Sequence, residues 1–197
     1  MGVELRPPYA SNPKEDFVAV RPVTTLPADE AVLRAVAKKV KRVDASIHSL
    51  VEDMIDSMRA ANGVGLAAPQ IGVSLKVVVI EIPAAPPFVM INPEIVKRSG
   101  ARRITEGCLS VPGYLGEVIR STRVTAKGLS LDGKEIRIRA EDDLLAQALE
   151  HEINHVNGIV YIDQVVSPDR LWSREELEAR AKAAEEESDE SLSGDGE

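Results

Sequence analysis

The sequence has a single cysteine, Cys108, and only six aromatic residues among its 197 positions. One cysteine cannot form an internal disulfide, which excludes a disulfide-stabilised domain and agrees with a reducing compartment. So few aromatic side chains also leave little surface on which nucleic-acid bases could stack. These scarcities predict a globular intracellular protein that does not bind DNA.

Long apolar runs and export signals are missing as well. A charged residue, Pro or Asn interrupts every hydrophobic stretch before it reaches the roughly 18 residues that a membrane span needs. Residues 1–16 have neither a basic segment followed by an apolar one nor the acid-poor composition of a transit peptide. We therefore expect a cytoplasmic protein with no membrane partner.

Positive charge is outnumbered, since 24 Lys and Arg stand against 32 Asp and Glu, for a formal net charge of −8. Most of this excess lies in residues 185–197, which contain seven acidic residues and no basic one. The rest of the chain is nearly neutral and has no overall attraction for a phosphate backbone. The length suits one globular domain with short appendages.

Hydrophobic periodicity predicts two helices after an extended, weakly ordered, proline-rich lead-in over residues 1–27. Gly63 is placed to end the second helix. The apolar positions that follow a helical period are Val32, Leu33, Val36 and Val40 in the first helix, and Ile47, Leu50, Val51, Met54, Ile55 and Met58 in the second.

The pattern changes to short β-branched runs over residues 76–139, which predicts antiparallel strands with a hairpin at Asp132 and Gly133. Residues 142–157 predict a third helix that ends before Gly158, and residues 158–163 read as a short strand. Ser173 and Glu176 have the spacing of a capping box at the start of a charged helix. The composition of the segment from residue 185 onward is typical of disorder.

This order of elements predicts an α+β fold in which antiparallel sheets pack around a central helix, with the other helices N-terminal to it. The expected domain boundaries are a lead-in over residues 1–27, a catalytic domain over 28–172, and a charged helix with an acidic tail over 173–197.

The third helix contains the sequence His151-Glu152-Ile153-Asn154-His155, which matches the H-E-x-x-H pattern. Residues four apart project from the same face of a helix, so both imidazoles can bind one metal. Glu152 lies close enough to accept a proton from a water on that metal. The remaining histidine, His48, is predicted to lie on a polar helix face in solvent.

Two histidines leave the site without a third protein ligand, which catalytic sites usually have. One alternative is a glutamate from the charged C-terminal segment, as in zincin-like peptidases: Glu175, Glu176 or Glu178. The other is Cys108, in the segment Glu106-Gly107-Cys108-Leu109-Ser110. The glycine-rich segment from Gly63 to Gln70 allows close approach of a ligand to the backbone and adds an amide that can donate or accept.

The chain resembles the peptide deformylases in three motifs that occur in the family's order: GVGLAAPQ from Gly63 to Gln70, EGCLS from Glu106 to Ser110, and HEINH from His151 to His155. The resemblance implies hydrolysis of the formyl group of N-formylmethionyl nascent peptides, with release of formate. It implies that Cys108, His151 and His155 hold one divalent metal, with Fe²⁺ expected in the cell and Zn²⁺, Ni²⁺ or Co²⁺ also able to bind.

The same resemblance implies the remaining roles in the site. Glu152 is expected to be the catalytic base, and Gln70 with the backbone N–H of Leu109 to polarise the formyl oxygen. The substrate is expected to lie along the Gly65 segment like an added strand. The residues expected to bind substrate are Val64, Gly65, Gln70, Leu109 and Glu106.

Two features depart from the family pattern. Asn154 stands where many members have Asp, so this position carries no charge near the ligands. Some bacterial relatives use a basic C-terminal helix at the ribosome, whereas this C-terminal segment is acidic. We expect transient ribosome association that does not use this segment. Glu106 and Arg120 could form a charge pair behind the site or at the surface.

Two other functions fit parts of the pattern. A zincin-like metallopeptidase would take its third ligand from Glu175 or Glu176. A protein without enzymatic activity could use the same residues as a closed structural metal site, with the acidic tail recruiting a partner.

Overall fold

The computed structural model describes residues 20–179 and 182 of the chain. Within this part, the α-helices are α1 (Glu30–Leu33), α2 (Ala45–Ala60) and α3 (Leu144–His155). The strands are β1 (Gly65–Ala67), β2 (Val77–Ile80), β3 (Phe88–Ser99), β4 (Arg102–Cys108), β5 (Val111–Arg120), β6 (Arg123–Leu129), β7 (Glu135–Glu141) and β8 (Leu171–Ser173). Short 3₁₀ turns cover Ala68–Ile71, Tyr161–Gln164 and Pro168–Arg170.

The strands form two antiparallel sheets. Five strands pair in the order β1-β2-β3-β6-β7, and three pair in the order β4-β5-β8. The predicted hairpin joins β6 to β7, and Gly133 has the positive φ of 77° that its turn requires. This confirms the prediction of a mixed fold of helices and antiparallel sheet. Among the described helices, none combines the length and apolar character needed to cross a bilayer.

Helix α2 is capped at its start by a side chain, whereas its end differs from the predicted glycine stop. The Asp44 side chain accepts a hydrogen bond from the Ser46 backbone N–H, and the apolar positions of the helix are buried in the core. The left-handed residue that follows the helix is Asn62, with φ of 54°, and not Gly63. Gly63 instead donates its N–H to the Met58 carbonyl.

Helix α3 carries the H-E-x-x-H sequence against the five-stranded sheet. Its N-cap, Asp143, accepts from the Ala146 N–H at 2.7 Å, and Leu149 and Ile153 are buried in the cluster between helix and sheet. Gly158 lies three residues beyond the helix with φ of 75°, and an added Cβ would meet the Arg34 carbonyl oxygen at 2.4 Å. The chain therefore needs glycine there to turn away from α3.

The first predicted helix is wrong beyond Leu33. The chain after α1 becomes extended because its backbone bonds to distant segments: Ala37 N–H donates to the Val156 carbonyl, and Val40 N–H donates to Asn92 Oδ1. Val36 is 65% exposed. Tertiary hydrogen bonds override a weak β-branched helical pattern here.

Two other predictions need correction. The lead-in is not weakly ordered over residues 20–27, because the Arg21 N–H donates to Ser57 Oγ and the Thr24 N–H to the Gln70 carbonyl. The expected strand over residues 158–163 is instead an irregular segment and the turn Tyr161–Gln164. The rest of the lead-in and the acidic tail from residue 185 lie outside the described residues.

The C-terminal capping box is confirmed. Ser173 N–H donates to Glu176 Oε2 at 2.7 Å, and Glu176 N–H donates to Ser173 Oγ at 3.1 Å. Helical residues 174–179 follow.

Candidate active site

The two histidines of α3 converge on a single point. His151 Nε2 and His155 Nε2 are 3.2 Å apart, and the two rings meet edge to face. This arrangement follows from their spacing of four residues on a helix.

Cys108 brings a sulfur to the same point from the end of β4. Its Sγ lies 3.2 Å from His155 Nε2, and the ligand atoms of Cys108, His151 and His155 are all within 4.8 Å of one another. Donors bound to one metal with tetrahedral geometry are separated by roughly 3.3–3.6 Å, given bond lengths of about 2.0–2.3 Å. Two imidazoles and a thiolate at this separation fit a single transition-metal ion.

A buried ion pair behind His151 orients its ring. Arg120 donates to both oxygens of Glu106, at 3.0 and 2.6 Å, and Glu106 Oε2 lies 3.3 Å from His151 Nδ1. A proton on Nδ1 is held by the carboxylate, which leaves the Nε2 lone pair facing Cys108 and His155. The pair is therefore internal and not on the surface.

This burial corrects the expectation that Glu106 binds substrate. Glu106 is 1% exposed and both of its oxygens bond to Arg120. It has no surface left for a peptide and acts on His151 from behind.

The titration of the cluster follows from its burial. Burial opposes ionisation of Glu106, but hydrogen bonds from His151 and Arg120 outweigh it and keep the pKa of Glu106 below its ordinary value. Burial likewise opposes protonation of His151, yet Cys108 and Glu106 raise the pKa of His151 well above the ordinary value. Burial and the charge on His151 lower the pKa of His155 well below it. In the metal-free chain His151 therefore binds an added proton more strongly than an ordinary imidazole, and His155 binds one less strongly.

Glu152 lies between the cluster and the backbone of β1. A Cβ added to Gly65 would be 2.4 Å from Glu152 Oε1, so the carboxylate occupies the space that a side chain at Gly65 would fill. Glu152 Oε2 is buried and has no hydrogen-bond partner among the described residues. Burial raises the pKa of Glu152 to about 7 in the metal-free chain.

Gln70 has a fixed orientation beside the sulfur. The Ala67 backbone N–H donates to Gln70 Oε1 at 2.8 Å, and because an N–H can only donate, the Gln70 Nε2 must face the other way. Nε2 lies 3.6 Å from Cys108 Sγ and 3.2 Å from Ser110 Oγ. The 3₁₀ turn after β1 thus directs an amide donor into the cluster.

Leu109 and Val64 complete the predicted set. Leu109 follows Cys108 in the turn between β4 and β5, and its side chain packs on the core. Val64 immediately precedes β1 and is 37% exposed. Because β1 is an edge strand of its sheet, the Val64–Gly65 segment borders an edge that has no second strand partner among the described residues.

The alternative ligands lie elsewhere. Glu175 and Glu178 are exposed on the helical residues that follow β8, and Glu176 caps that helix. His48 is exposed on α2, as predicted. Cys108 is the residue that the fold brings to the two histidines.

Sequence reasoning missed three residues that support the site. Gln164 accepts from Arg120 and Asn154, Glu150 accepts from Ser121, and the Tyr161 ring stacks on His151. No local spacing indicates these contacts, because each joins segments that only the tertiary fold brings together.

Comparisons with known proteins identify the family to which the chain is similar. The family model described as polypeptide deformylase matches residues 20–171. A peptide deformylase from Dehalococcoides mccartyi strain CBDB1 is 53% identical over 155 residues, covering 78% of this chain and 91% of the relative.

Solved structures give the same result. A crystal structure of a peptide deformylase from Legionella pneumophila is 42% identical with a TM-score of 0.72, covering 88% of this chain and 98% of that one. A Met-Ala-Ser-bound class I type b peptide deformylase from Acinetobacter baumannii is 31% identical with a TM-score of 0.70, covering 75% of this chain and 99% of that one.

Proposed function

The chain belongs to the polypeptide deformylase family, and from that premise we propose that Cys108, His151 and His155 hold its catalytic metal and that Glu152 is its base. Enzymes of this family are metalloenzymes that remove the N-formyl group from nascent polypeptides, and this chain is such an enzyme. The observation that carries the assignment of residues is the convergence of one sulfur and two imidazole nitrogens beside the buried carboxylate of Glu152.

The donor set fits a divalent transition metal. The contact between Glu106 and His151 leaves a nitrogen lone pair for the metal, and the N–H groups of Ser110 and Gln70 face Cys108 Sγ, which stabilises a negative sulfur. A bound divalent metal lowers the pKa of a water that it holds and polarises a carbonyl. A thiolate with two imidazoles suits Fe²⁺, which we propose as the metal in the cell, and also Zn²⁺, Ni²⁺ or Co²⁺.

Glu152 moves the proton. Its Oε2 is buried and free of hydrogen bonds among the described residues, so it can accept a proton from a group placed beside it. It accepts a proton from the attacking water and passes it to the amine that leaves. Its position over Gly65 holds the carboxylate at the edge of β1, where the substrate amide arrives.

Two donors stabilise the oxygen of the formyl group as negative charge develops on it. Gln70 Nε2 is oriented by Ala67 and faces the cluster, and the backbone N–H of Leu109 lies in the next turn. Donors fixed before the reaction stabilise a developing oxyanion without having to reorganise. The peptide lies along Val64 and Gly65 at the open edge of β1, as an added strand.

Formylated peptides are the substrates, and the Met-Ala-Ser bound to the Acinetobacter baumannii relative supports a methionine-led peptide here. A substrate that is still being synthesised is met in the cytoplasm, at the ribosome. The catalytic domain that we propose ends at residue 172.

Ribosome association needs a surface other than the acidic C-terminal segment. A concavity of about 670 Å³ on the five-stranded sheet has Lys97, Arg123, Arg137 and Arg139 among its lining residues. Glu141 there pairs with Arg123, which leaves a net positive surface suited to RNA phosphates. In co-sedimentation with ribosomes, the double variant R137E/R139E should be depleted from the pellet while its activity on a formylated tripeptide is unchanged. Equal pelleting of wild type and variant would contradict a role for this face.

The proposed function is tested by formate release from formyl-Met-Ala-Ser with anaerobically purified, Fe²⁺-loaded protein. Glu152→Gln should lower kcat by about 100-fold or more while metal content stays at one equivalent, because general-base catalysis contributes about this much. An internal peptide without a formyl group should remain intact. Cleavage of that peptide would support a zincin-like peptidase instead, and full activity of the variant would remove Glu152 from its role.

A further inference from the structure

Tyr161 is a buried residue whose ring contacts His151, one of the proposed metal ligands. It is 1% exposed and begins the 3₁₀ turn Tyr161–Gln164. Its ring stacks on that of His151 with a centroid distance of 6.3 Å and an angle of 27° between the planes. This separation lies within the range of favourable aromatic contacts.

The hydroxyl of Tyr161 bonds to the strand that follows Cys108. Tyr161 Oη donates to the Tyr114 backbone carbonyl at 3.1 Å. Tyr114 belongs to an irregular stretch of β5, because Cys108 pairs with Val111 whereas Gly107 pairs with Leu115. Residues 112–114 therefore have no partner on β4, and the hydroxyl supplies one of the bonds that fix them.

The packing around Tyr161 is tight enough to fix its ring. Gly116 on β5 faces the ring, and a Cβ at that position would lie 3.2 Å from Tyr161 Cε2 and 2.7 Å from Val165 Cγ2. The hydrogen bond from Tyr161 Oη to the Tyr114 carbonyl holds the ring at its outer end.

The other end of the same turn is bound to the site as well. Gln164 Oε1 accepts from Arg120 Nη1 at 2.9 Å and from Asn154 Nδ2 at 2.7 Å. Arginine can only donate, so the oxygen of Gln164 must face it, and Asn154 must then present its nitrogen. Each end of the turn, Tyr161 and Gln164, therefore contacts both α3 and β5.

We propose that Tyr161 is a positioning residue, whose ring fixes the imidazole plane of His151 and whose hydroxyl fixes the strand that begins beside Cys108. One side chain thereby links α3, which carries both histidines, to the chain segment that carries Cys108. The inference rests on the proposed metal site and adds a residue that does not itself contact metal or substrate.

The test compares Y161F and Y161L with wild type, using Co²⁺ added to metal-free protein. Y161L loses both contacts, so its Co²⁺ dissociation constant should rise about tenfold, in line with the effect of other residues that orient ligands, and its visible Co²⁺ spectrum should change. Y161F keeps the ring and should show a smaller change in both. Y114F is the matched control, because Tyr114 is 49% exposed and contributes its backbone carbonyl, so it should bind Co²⁺ as wild type does.

Three outcomes would overturn the inference. Wild-type Co²⁺ affinity and spectrum in folded Y161L would remove the role of the ring, and a Y161F protein identical to wild type in Co²⁺ binding, spectrum and kcat/KM would remove that of the hydroxyl. A lower melting temperature in both variants with unchanged Co²⁺ binding would make Tyr161 a purely structural residue.

Two further measurements keep the test decisive. If Y161L does not fold, G116A can replace it in the test. The added methyl group would displace the intact Tyr161 ring from the β5 side and should alter the Co²⁺ spectrum. Failure of the metal-site proposal gives a different result, in which wild type binds no Co²⁺ or C108S binds it equally well.

Discussion

The carboxylate of Glu152 sits where a side chain on Gly65 would lie: an added Cβ would be 2.4 Å from Oε1 and 2.8 Å from the carboxyl carbon. Such distances cannot be accommodated without movement. The position of the Glu152 side chain in the third motif therefore requires a residue without a side chain at Gly65 in the first motif, although the two are far apart in sequence.

Gly65→Ala should displace Glu152, the proposed base, without reducing the metal bound at the proposed site. A displacement of about 1 Å in a catalytic group can lower the rate by on the order of 100-fold. We expect kcat for formate release to fall by about that factor, while bound metal measured by atomic emission stays at the wild-type level.

Gly133→Ala provides the control for this change. Gly133 has φ of 77° in the β6–β7 turn, and an added Cβ there meets nothing within 4 Å. The substitution strains the turn and lowers the free energy of unfolding by about 1 kcal/mol, but should leave kcat unchanged. A G65A protein with the kcat of G133A would show that Glu152 does not depend on the space over Gly65.

Metal binding should require Cys108 and not His48. Cys108→Ser replaces a thiolate by a weakly acidic hydroxyl, and His151→Ala removes a nitrogen; each should lower Zn²⁺ affinity at least 100-fold, because a three-ligand site becomes a two-ligand site. His48→Ala removes an exposed histidine on α2 and should leave the affinity unchanged. Competition of each protein against a chromophoric chelator measures these values. Retained affinity in C108S would require a different third ligand.

The grouping of Cys108 with His151 and His155 could be predicted from the sequence better than the contacts that support these residues. The spacing of His151 and His155 is itself the geometry of two ligands on a helix, and the resemblance added Cys108. The contacts of Glu150, Tyr161 and Gln164 could not be predicted, because each is made with a residue that is distant in sequence.

The fold shows the same division. Helix α2 was predictable because its many apolar residues lie on one face of a helix. The pattern from Val32 to Val40 instead consisted mostly of β-branched residues, which have low helix propensity. There, hydrogen bonds of Ala37 and Val40 to other segments decided the structure. Local sequence gave no sign of those partners.

Glu150 should contribute strongly to stability. It precedes His151 and accepts from the Ser121 N–H at 2.7 Å, Ser121 Oγ at 3.1 Å and Arg98 Nε at 2.9 Å, with a side chain that is 7% exposed. Glu150→Ala leaves the buried Ser121 donors unpaired and should lower the free energy of unfolding by about 2–3 kcal/mol, measured with urea on the metal-free protein.

The matched control is Glu94→Ala. Glu94 pairs with Lys127 at 3.3 Å, and its side chain is 66% exposed. Exposed pairs contribute about 0–1 kcal/mol, so this variant should unfold at nearly the wild-type urea concentration. Glu150→Gln keeps an acceptor for Ser121, so its free energy of unfolding should lie between those of E150A and E94A. If E150A were no less stable than E94A, the Ser121 contacts would contribute nothing to α3.

The metal-free protein should lose stability as pH rises through the titration of Glu152. Its pKa is raised from 4.5 to about 7 by burial, so between these values the folded chain keeps a proton that the unfolded chain releases. The resulting penalty is absent below about pH 4.5 and complete above about pH 7, where a shift of this size corresponds to about 3 kcal/mol. Glu152→Gln cannot ionise, so its free energy of unfolding relative to wild type should increase by up to that amount from about pH 5 to about pH 8. Urea unfolding of both metal-free proteins across this range measures the difference. If the difference in free energy of unfolding between E152Q and wild type does not vary with pH, Glu152 ionises in the folded chain as it does in water. Burial of its carboxylate would then have no effect on its pKa.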